Sequence, residues 1–157
     1  MSPRGTTDLM TRTGLFLEQP RNRCLATFIW RGGLLVDVAK AKVKRFGKPD
    51  EIRKFEKGKL QLVKFGGAAV GRAVFEPGWK WSKHVKPVVK TKSCEAPHFQ
   101  YHVTGVLHVK MDDGAEFDVG PGEVSMLPPG HDAWVVGVEP VTVIDFQGMV
   151  DYAKNRK

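Results

Sequence analysis

The sequence predicts an all-β protein, a single jelly-roll-like barrel of roughly 100 residues, and two observations carry this prediction. After Gly58 the chain becomes a series of short runs rich in β-branched and aromatic residues, and turn residues separate these runs. The dipeptide Asp113-Gly114 lies between two such runs, which is a strong signal for a β-hairpin. Glycine and proline interrupt the chain too often for long helices, so an all-helical alternative fails.

The predicted strands follow one another along the second part of the chain. They are Leu60–Lys64, Ala68–Phe75, Val85–Thr91, His98–Val103, Val106–Met111, Ala115–Val119, Glu123–Leu127, Ala133–Val138 and Val141–Phe146. Ahead of them, Asp50 is a candidate N-cap, and the turn at Pro49 predicts a short helical stretch that begins near Glu51. No repeat of 20–50 residues is visible. We therefore expect one domain, residues 43–157.

Residues 1–42 are expected to be a basic N-terminal extension, either disordered or weakly helical, because they show no sustained hydrophobic period. The net charge of +8 belongs to the first part of the chain. Residues 1–67 hold 15 Lys/Arg and 6 Asp/Glu, which gives +9, whereas residues 68–157 hold 10 and 11, which gives −1. No RNP-type or zinc-finger pattern accompanies the basic residues, so a nucleic-acid partner is not favoured.

The number of cysteines and the hydropathy of the chain indicate its redox environment and whether it has a membrane-spanning helix. Cys24 and Cys94 are too few and too far apart for a disulfide framework, which favours a reducing, cytoplasmic setting. No run approaches 18 uninterrupted apolar residues, so no membrane-spanning helix is expected. The chain carries no Ser-His-Asp, P-loop or Rossmann glycine pattern.

A glycine and proline pattern resembles a known family. Gly122, Pro128 and Gly130 stand in the arrangement G-x5-P-x-G, which is similar to the second sequence motif of the cupin superfamily. Counting back from Gly105, the glutamate position of the first cupin motif falls on His98. The two histidine positions fall on Cys94 and Lys92, and in the second motif the usual histidine position is Ala133, with His131 two residues earlier. The resemblance covers residues 43–154 and implies a small cupin-type domain with an altered ligand set.

The predicted metal ligands are Cys94, His98, His102 and His131. Residues an even number apart in a strand share a face, so Cys94, His98 and His102 point to one side if the segment is extended throughout. The cupin resemblance brings His131 across the pocket as a further ligand. A Cys/His set suits Zn²⁺, with iron, nickel or copper as alternatives. The competing interpretation is that the histidines are core residues bonded to backbone and that Cys94 is a small buried hydrophobe.

Aromatic residues form a second group of candidates. Trp79, Trp81, Tyr101 and Trp134 are predicted to wall a pocket for an apolar or planar organic ligand, with ordinary core packing as the alternative. The function that the sequence favours is a metal-binding cupin-domain protein with a small-molecule pocket and no assigned reaction. The alternatives are a binding or sensing module without catalysis, and a metal-dependent enzyme of the isomerase or dioxygenase kind. The fold implies a homodimer.

Overall fold

The computed structural model describes residues 41–154, and these form nine strands and two short helices. The predicted extension of residues 1–42, with Cys24, lies almost entirely outside the described residues. The elements, in chain order, are β1 (Glu51–Phe55), β2 (Gly58–Phe65), β3 (Ala68–Phe75), α1 (Trp81–His84), α2 (Lys86–Val89), β4 (His98–Thr104), β5 (Val106–Met111), β6 (Glu116–Val119), β7 (Val124–Leu127), β8 (His131–Val136) and β9 (Val141–Asp145).

The strands form two antiparallel sheets, which confirms the predicted all-β, jelly-roll-like fold. One sheet has six strands in the order β1-β2-β3-β9-β4-β7, and the other has three in the order β6-β5-β8. Buried side chains from both sheets, such as Leu60 and Leu62 of β2 and Leu107 and Val109 of β5, belong to one core. The sheets are not closed into one continuous barrel, since β6 and β7 are the free edges of different sheets.

Strand β4 shows the alternation that positions the site. His98, Gln100 and His102 are buried at 3%, 4% and 0% exposure, whereas Phe99 and Tyr101 between them are 39% and 42% exposed. Successive strand residues face opposite sides of a sheet, so three polar side chains enter the core from one strand. The prediction that His98 and His102 share a face is therefore confirmed by their burial.

The structure corrects the predicted helix near Glu51, because residues Glu51–Phe55 form strand β1 and pair with β2. Asp50 does not cap a helix. Its carboxylate accepts hydrogen bonds from the Lys64 backbone N–H and from Lys44 Nζ. The tight turn to β2 uses Lys57 at φ +57°, a conformation that the sequence does not signal.

The structure also corrects the predicted strand Val85–Thr91, which begins at the C-cap of α1 and contains the whole of α2. Three valines favour a strand by propensity, but Pro87 occupies the first turn of α2, where a missing N–H costs no helical hydrogen bond. Lys90 ends α2 in the left-handed conformation. Among the described residues, no helix is long and apolar enough to cross a membrane.

The segment that follows β9 folds back over the core. Arg53 of β1 holds it, donating guanidinium hydrogen bonds to the carbonyl oxygens of Met149, Val150 and Tyr152. Gly148 fits closely against the loop before β4: a Cβ at this position would lie 1.9 Å from the Pro97 carbonyl oxygen. The result is that Met149 and Tyr152 are buried, at 3% and 5% exposure.

Candidate metal centre

Three segments of the chain meet at one end of the core. Cys94 lies in the loop before β4, and backbone hydrogen bonds fasten it to the start of β8. The Cys94 N–H donates to the His131 carbonyl at 2.8 Å, and the Gly130 N–H donates to the Cys94 carbonyl at 2.7 Å. This isolated bridge places Cys94 directly opposite His131. His98 opens β4 and faces the same space.

The ligand atoms of Cys94, His98 and His131 converge, and we call these three residues the Cys/His/His cluster. Their donor atoms all lie within 4.8 Å of one another. Cys94 Sγ is 3.6 Å from His98 Nε2, and the rings of His98 and His131 are 5.4 Å apart and nearly perpendicular. The three residues are only 2–3% exposed. The cluster therefore contains three of the four predicted metal ligands.

Asp145, the last residue of β9, orients His98 through the ring nitrogen that does not face Cys94. Its Oδ2 accepts a 2.6 Å hydrogen bond from His98 Nδ1 and a 2.8 Å bond from Gln100 Nε2. Its Oδ1 accepts the Gln147 backbone N–H at 2.7 Å. Because a carboxylate can only accept, the Nδ1 atom of His98 carries the proton and Nε2 faces Cys94.

A hydrogen bond from Nδ1 also fixes the orientation of the His131 ring. Its Nδ1 lies 2.9 Å from the Pro128 carbonyl oxygen, which can only accept a hydrogen bond, so Nδ1 is the donor. Its Nε2 is then the ring nitrogen available to the cluster. Such outer hydrogen bonds fix the tautomer of histidines that ligate metals.

Ionisation of the cluster follows from these contacts. Burial raises the pKa of the Cys94 thiol, but hydrogen bonds to His131 and His98 outweigh it and lower the pKa from 9.0 to about 6. Burial lowers the pKa of His98, but the bonds to Asp145 and Cys94 outweigh it and raise the pKa from 6.5 to about 9. At neutral pH the cluster thus holds a thiolate, the form of cysteine that binds metals.

The donor set fits a zinc ion. Zinc–ligand bonds of about 2.0–2.3 Å in a tetrahedron place neighbouring ligand atoms about 3.3–3.8 Å apart. The 3.6 Å separation of Cys94 Sγ and His98 Nε2 already matches that range. One thiolate and two imidazoles are ligands that zinc shares with iron, nickel and copper and that Mg²⁺ and Ca²⁺ avoid.

The cavity next to the cluster is small. It encloses about 20 Å³, room for about one water molecule, whereas pockets for drug-sized ligands span about 300–1,000 Å³. Trp79 and Trp81 line it, as predicted, and so do Met149 and Tyr152 of the segment after β9. In this conformation the cavity admits an ion or a molecule of about the size of water, and no large organic molecule.

Three of the predicted site residues lie elsewhere. His102 is buried in the same sheet, but its Nε2 lies 3.0 Å from Ser125 Oγ, and it is outside the cluster. Tyr101 is 42% exposed on the outer face of β4, because its position in the strand is odd relative to His98. Trp134 faces outward from β8 for the same reason and stacks on His108, 4.2 Å between ring centroids.

The sequence interpretation missed Asp145 and Gln100. A signal for Asp145 was present: it continues the inward positions Val141 and Val143 of β9, and all three are 0% exposed. A carboxylate at an inward position of an apolar strand indicates a buried partner. Gln100 lies on the inward face between His98 and His102, so the same parity argument applies to it.

Comparisons with known proteins give likenesses in fold. No family model matches the chain, and no curated protein matches it. A solved RmlC-like cupin from Shewanella frigidimarina is 20% identical over 69% of this chain and 92% of that chain, with a TM-score of 0.48. KdgF from Halomonas sp. is 14% identical over 62% of this chain and 86% of that chain, with a TM-score of 0.46.

Oxalate decarboxylase from Lactobacillus farciminis is also similar, at 18% identity over 62% of this chain and a TM-score of 0.47. The matched part spans only 30% of that longer chain. One of these three neighbours is described as a cupin. Likenesses at this level concern the fold and carry no information about activity.

Proposed function

We propose that this protein is a metal-binding domain of the cupin type, in which Cys94, His98 and His131 hold a divalent ion, zinc before iron, nickel or copper. The observation that carries the proposal is the burial of three ligand atoms within 4.8 Å of one another. Polar groups at such burial need partners, and an ion would give all three the same partner. Asp145 behind His98 supports the proposal, since ligating histidines commonly donate to a carboxylate.

Three protein ligands also indicate what the site can do. Structural zinc sites usually have four protein ligands, whereas sites that act on substrates have three and keep one position open. Here the fourth position would face the cavity of about 20 Å³. A zinc ion in this place supplies a Lewis acid. We propose binding of a very small ligand there and assign no reaction.

A second candidate is a nucleophilic thiol without metal, and one specific observation favours it. Cys94 Sγ, His98 Nε2 at 3.6 Å, and Asp145 Oδ2 at 2.6 Å from His98 Nδ1 form a nucleophile–base–orienting-acid series. Against it, Cys94 is only 2% exposed, whereas reactive cysteines are partly exposed. The two candidates make opposite predictions about metal content.

Elemental analysis of protein purified without an affinity tag tests the metal proposal. We expect close to one equivalent of a transition metal per chain, and a rise in melting temperature when Zn²⁺ is added to protein stripped by a chelator, because ligands of the native state stabilise it by mass action. Protein with less than about 0.1 equivalent and no thermal shift would contradict the metal site and favour the thiol candidate.

A homodimer in a reducing, cytoplasmic setting completes the proposal. Five apolar side chains of β4 and β7 are 39–75% exposed on the outer face of the six-stranded sheet. They are Phe99, Tyr101, Val103, Val124 and Met126. The strand β7 is also a free sheet edge, so a second copy could cover both features.

Sedimentation of charged variants checks the dimer. We expect the unchanged chain to sediment as a dimer and Met126→Lys, at the most exposed of the five positions, to sediment as a monomer, since an unpaired charge in an interface is strongly unfavourable. The matched control is Val136→Lys, at an exposed position of the smaller sheet, which should remain dimeric. A monomeric unchanged chain would overturn this part of the proposal.

A further inference from the structure

Two residues in the wall of the cavity each carry a buried polar atom that has no hydrogen-bond partner among the described residues. One such atom is the indole nitrogen Nε1 of Trp79, and the other is the amide oxygen Oε1 of Gln100. The two residues are 2% and 4% exposed. Leaving a buried donor or acceptor unpaired costs free energy, and most buried polar atoms in folded proteins are satisfied. An unpaired donor and an unpaired acceptor, carried by two residues of one cavity wall, indicate a ligand that pairs with both.

The hydrogen bond to Asp145 identifies the unpaired atom of Gln100 as its amide oxygen Oε1. The amide nitrogen Nε2 donates a 2.8 Å hydrogen bond to Asp145 Oδ2, and only the nitrogen end of the amide can donate. Asp145 in turn is fixed by His98 and by the Gln147 backbone. Gln100 therefore presents an acceptor, held in place by the same carboxylate that orients the cluster.

Trp79 presents its donor from an equally fixed position. Its ring stacks on Phe75 at 4.0 Å, and its backbone bonds to Glu76 and to Val135 at both ends. An indole nitrogen can only donate. The ring cannot turn to a different partner without breaking this packing, so the N–H needs an acceptor from whatever occupies the cavity.

We propose that the cavity binds a neutral molecule not much larger than water, an amide or hydroxyl compound that accepts from Trp79 and donates to Gln100. The size follows from the cavity of about 20 Å³. Neutrality follows from the pairing of one donor with one acceptor, since a carboxylate cannot donate to the Gln100 oxygen and an ammonium ion cannot accept from Trp79. The inference rests on the proposed function in that the ligand lies beside the Cys/His/His cluster, at the open position of its ion.

Formamide is the probe that tests this site, because its carbonyl oxygen and its NH₂ group match the two unpaired atoms. The chain has four tryptophans, so ¹⁵N-labelled protein gives four indole N–H resonances, and Trp79→Phe identifies the one of interest. We expect formamide to shift that resonance saturably, and N,N-dimethylformamide, which cannot donate and is larger, to leave it in place. Gln100→Leu should weaken formamide binding about tenfold or more.

The control variant is Trp134→Phe, which removes the same number of atoms from the outer face of β8, where Trp134 stacks on His108 outside the cavity, and it should keep the response of Trp79. An absent or non-saturating shift, or an equal shift of all four indoles, overturns the inference. Metal content measured on the same samples separates the two proposals. If the protein contains metal but the Trp79 resonance does not respond to formamide, only this inference is contradicted. If the Trp79 resonance responds but the protein contains no metal, only the metal proposal is contradicted.

Discussion

Cys94→Ser should bind zinc far more weakly than the unchanged chain. A serine hydroxyl is close to the thiol in size but is a poor zinc ligand, so the substitution removes one of three ligands with little change in packing. Changes to outer partners of a metal site cost about 10–100-fold in affinity, and loss of a direct ligand should exceed that range. Competition with a chromogenic zinc chelator measures the difference.

His102→Gln is the matched control for this experiment. His102 is buried in the same strand as His98, but its contact is Ser125 and it lies outside the cluster. We expect its zinc affinity to stay close to that of the unchanged chain, with any effect confined to stability. Equal losses in Cys94→Ser and His102→Gln would show that affinity follows general folding, or that His102 is a fourth ligand as the sequence suggests.

Zinc affinity should rise steeply with pH through neutrality. In metal-free protein the pKa of His98 is raised to about 9, so between about pH 6 and 9 this ring is protonated and zinc must displace one proton from it. Affinity then increases about tenfold per pH unit in this window. Below about pH 6, where the thiol with its pKa of about 6 is also protonated, the dependence becomes steeper.

Asp145→Asn tests the cause of this dependence. The Asp145 carboxylate contributes to the raised pKa of His98, and an amide in its place has no charge with which to stabilise the protonated ring. Removing this charge should lower the pKa of His98, so the zinc affinity of the variant should stop rising at a lower pH than that of the unchanged chain. The three ligands themselves are unchanged. Calorimetric titration in buffers of different ionisation enthalpy counts the protons released. Zinc affinity that stays level from about pH 6.5 to 8.5 would contradict the protonated state of His98.

Local sequence rules predicted the part of the site that lies on regular strands. Alternation along β4 placed His98 on the inward face, and the glycine and proline spacing before His131 marked the start of β8. These signals depend only on the two-residue period of a strand and on turn residues, both of which a single sequence displays. The same rule, applied to Tyr101 and Trp134, would have excluded them from the pocket.

The remaining features depend on contacts between distant parts of the chain. Asp145 lies 47 positions after His98, and only the pairing of β4 with β9 brings their side chains together. Strand β1 was mistaken for a helix because its pairing with β2 and the Arg53 contacts to the last segment outweigh the local turn signal. Pairings of this kind are set by the whole fold, so short-range patterns do not display them.

The segment after β9 covers part of the cavity beside the Cys/His/His cluster. Met149 and Tyr152 form part of the cavity wall, so movement of this segment would open the cavity. Lifting them means that Arg53, on the outermost strand of the larger sheet, first releases three carbonyl groups. Exchange of a molecule in the cavity would then depend on three hydrogen bonds of one arginine on a distant strand.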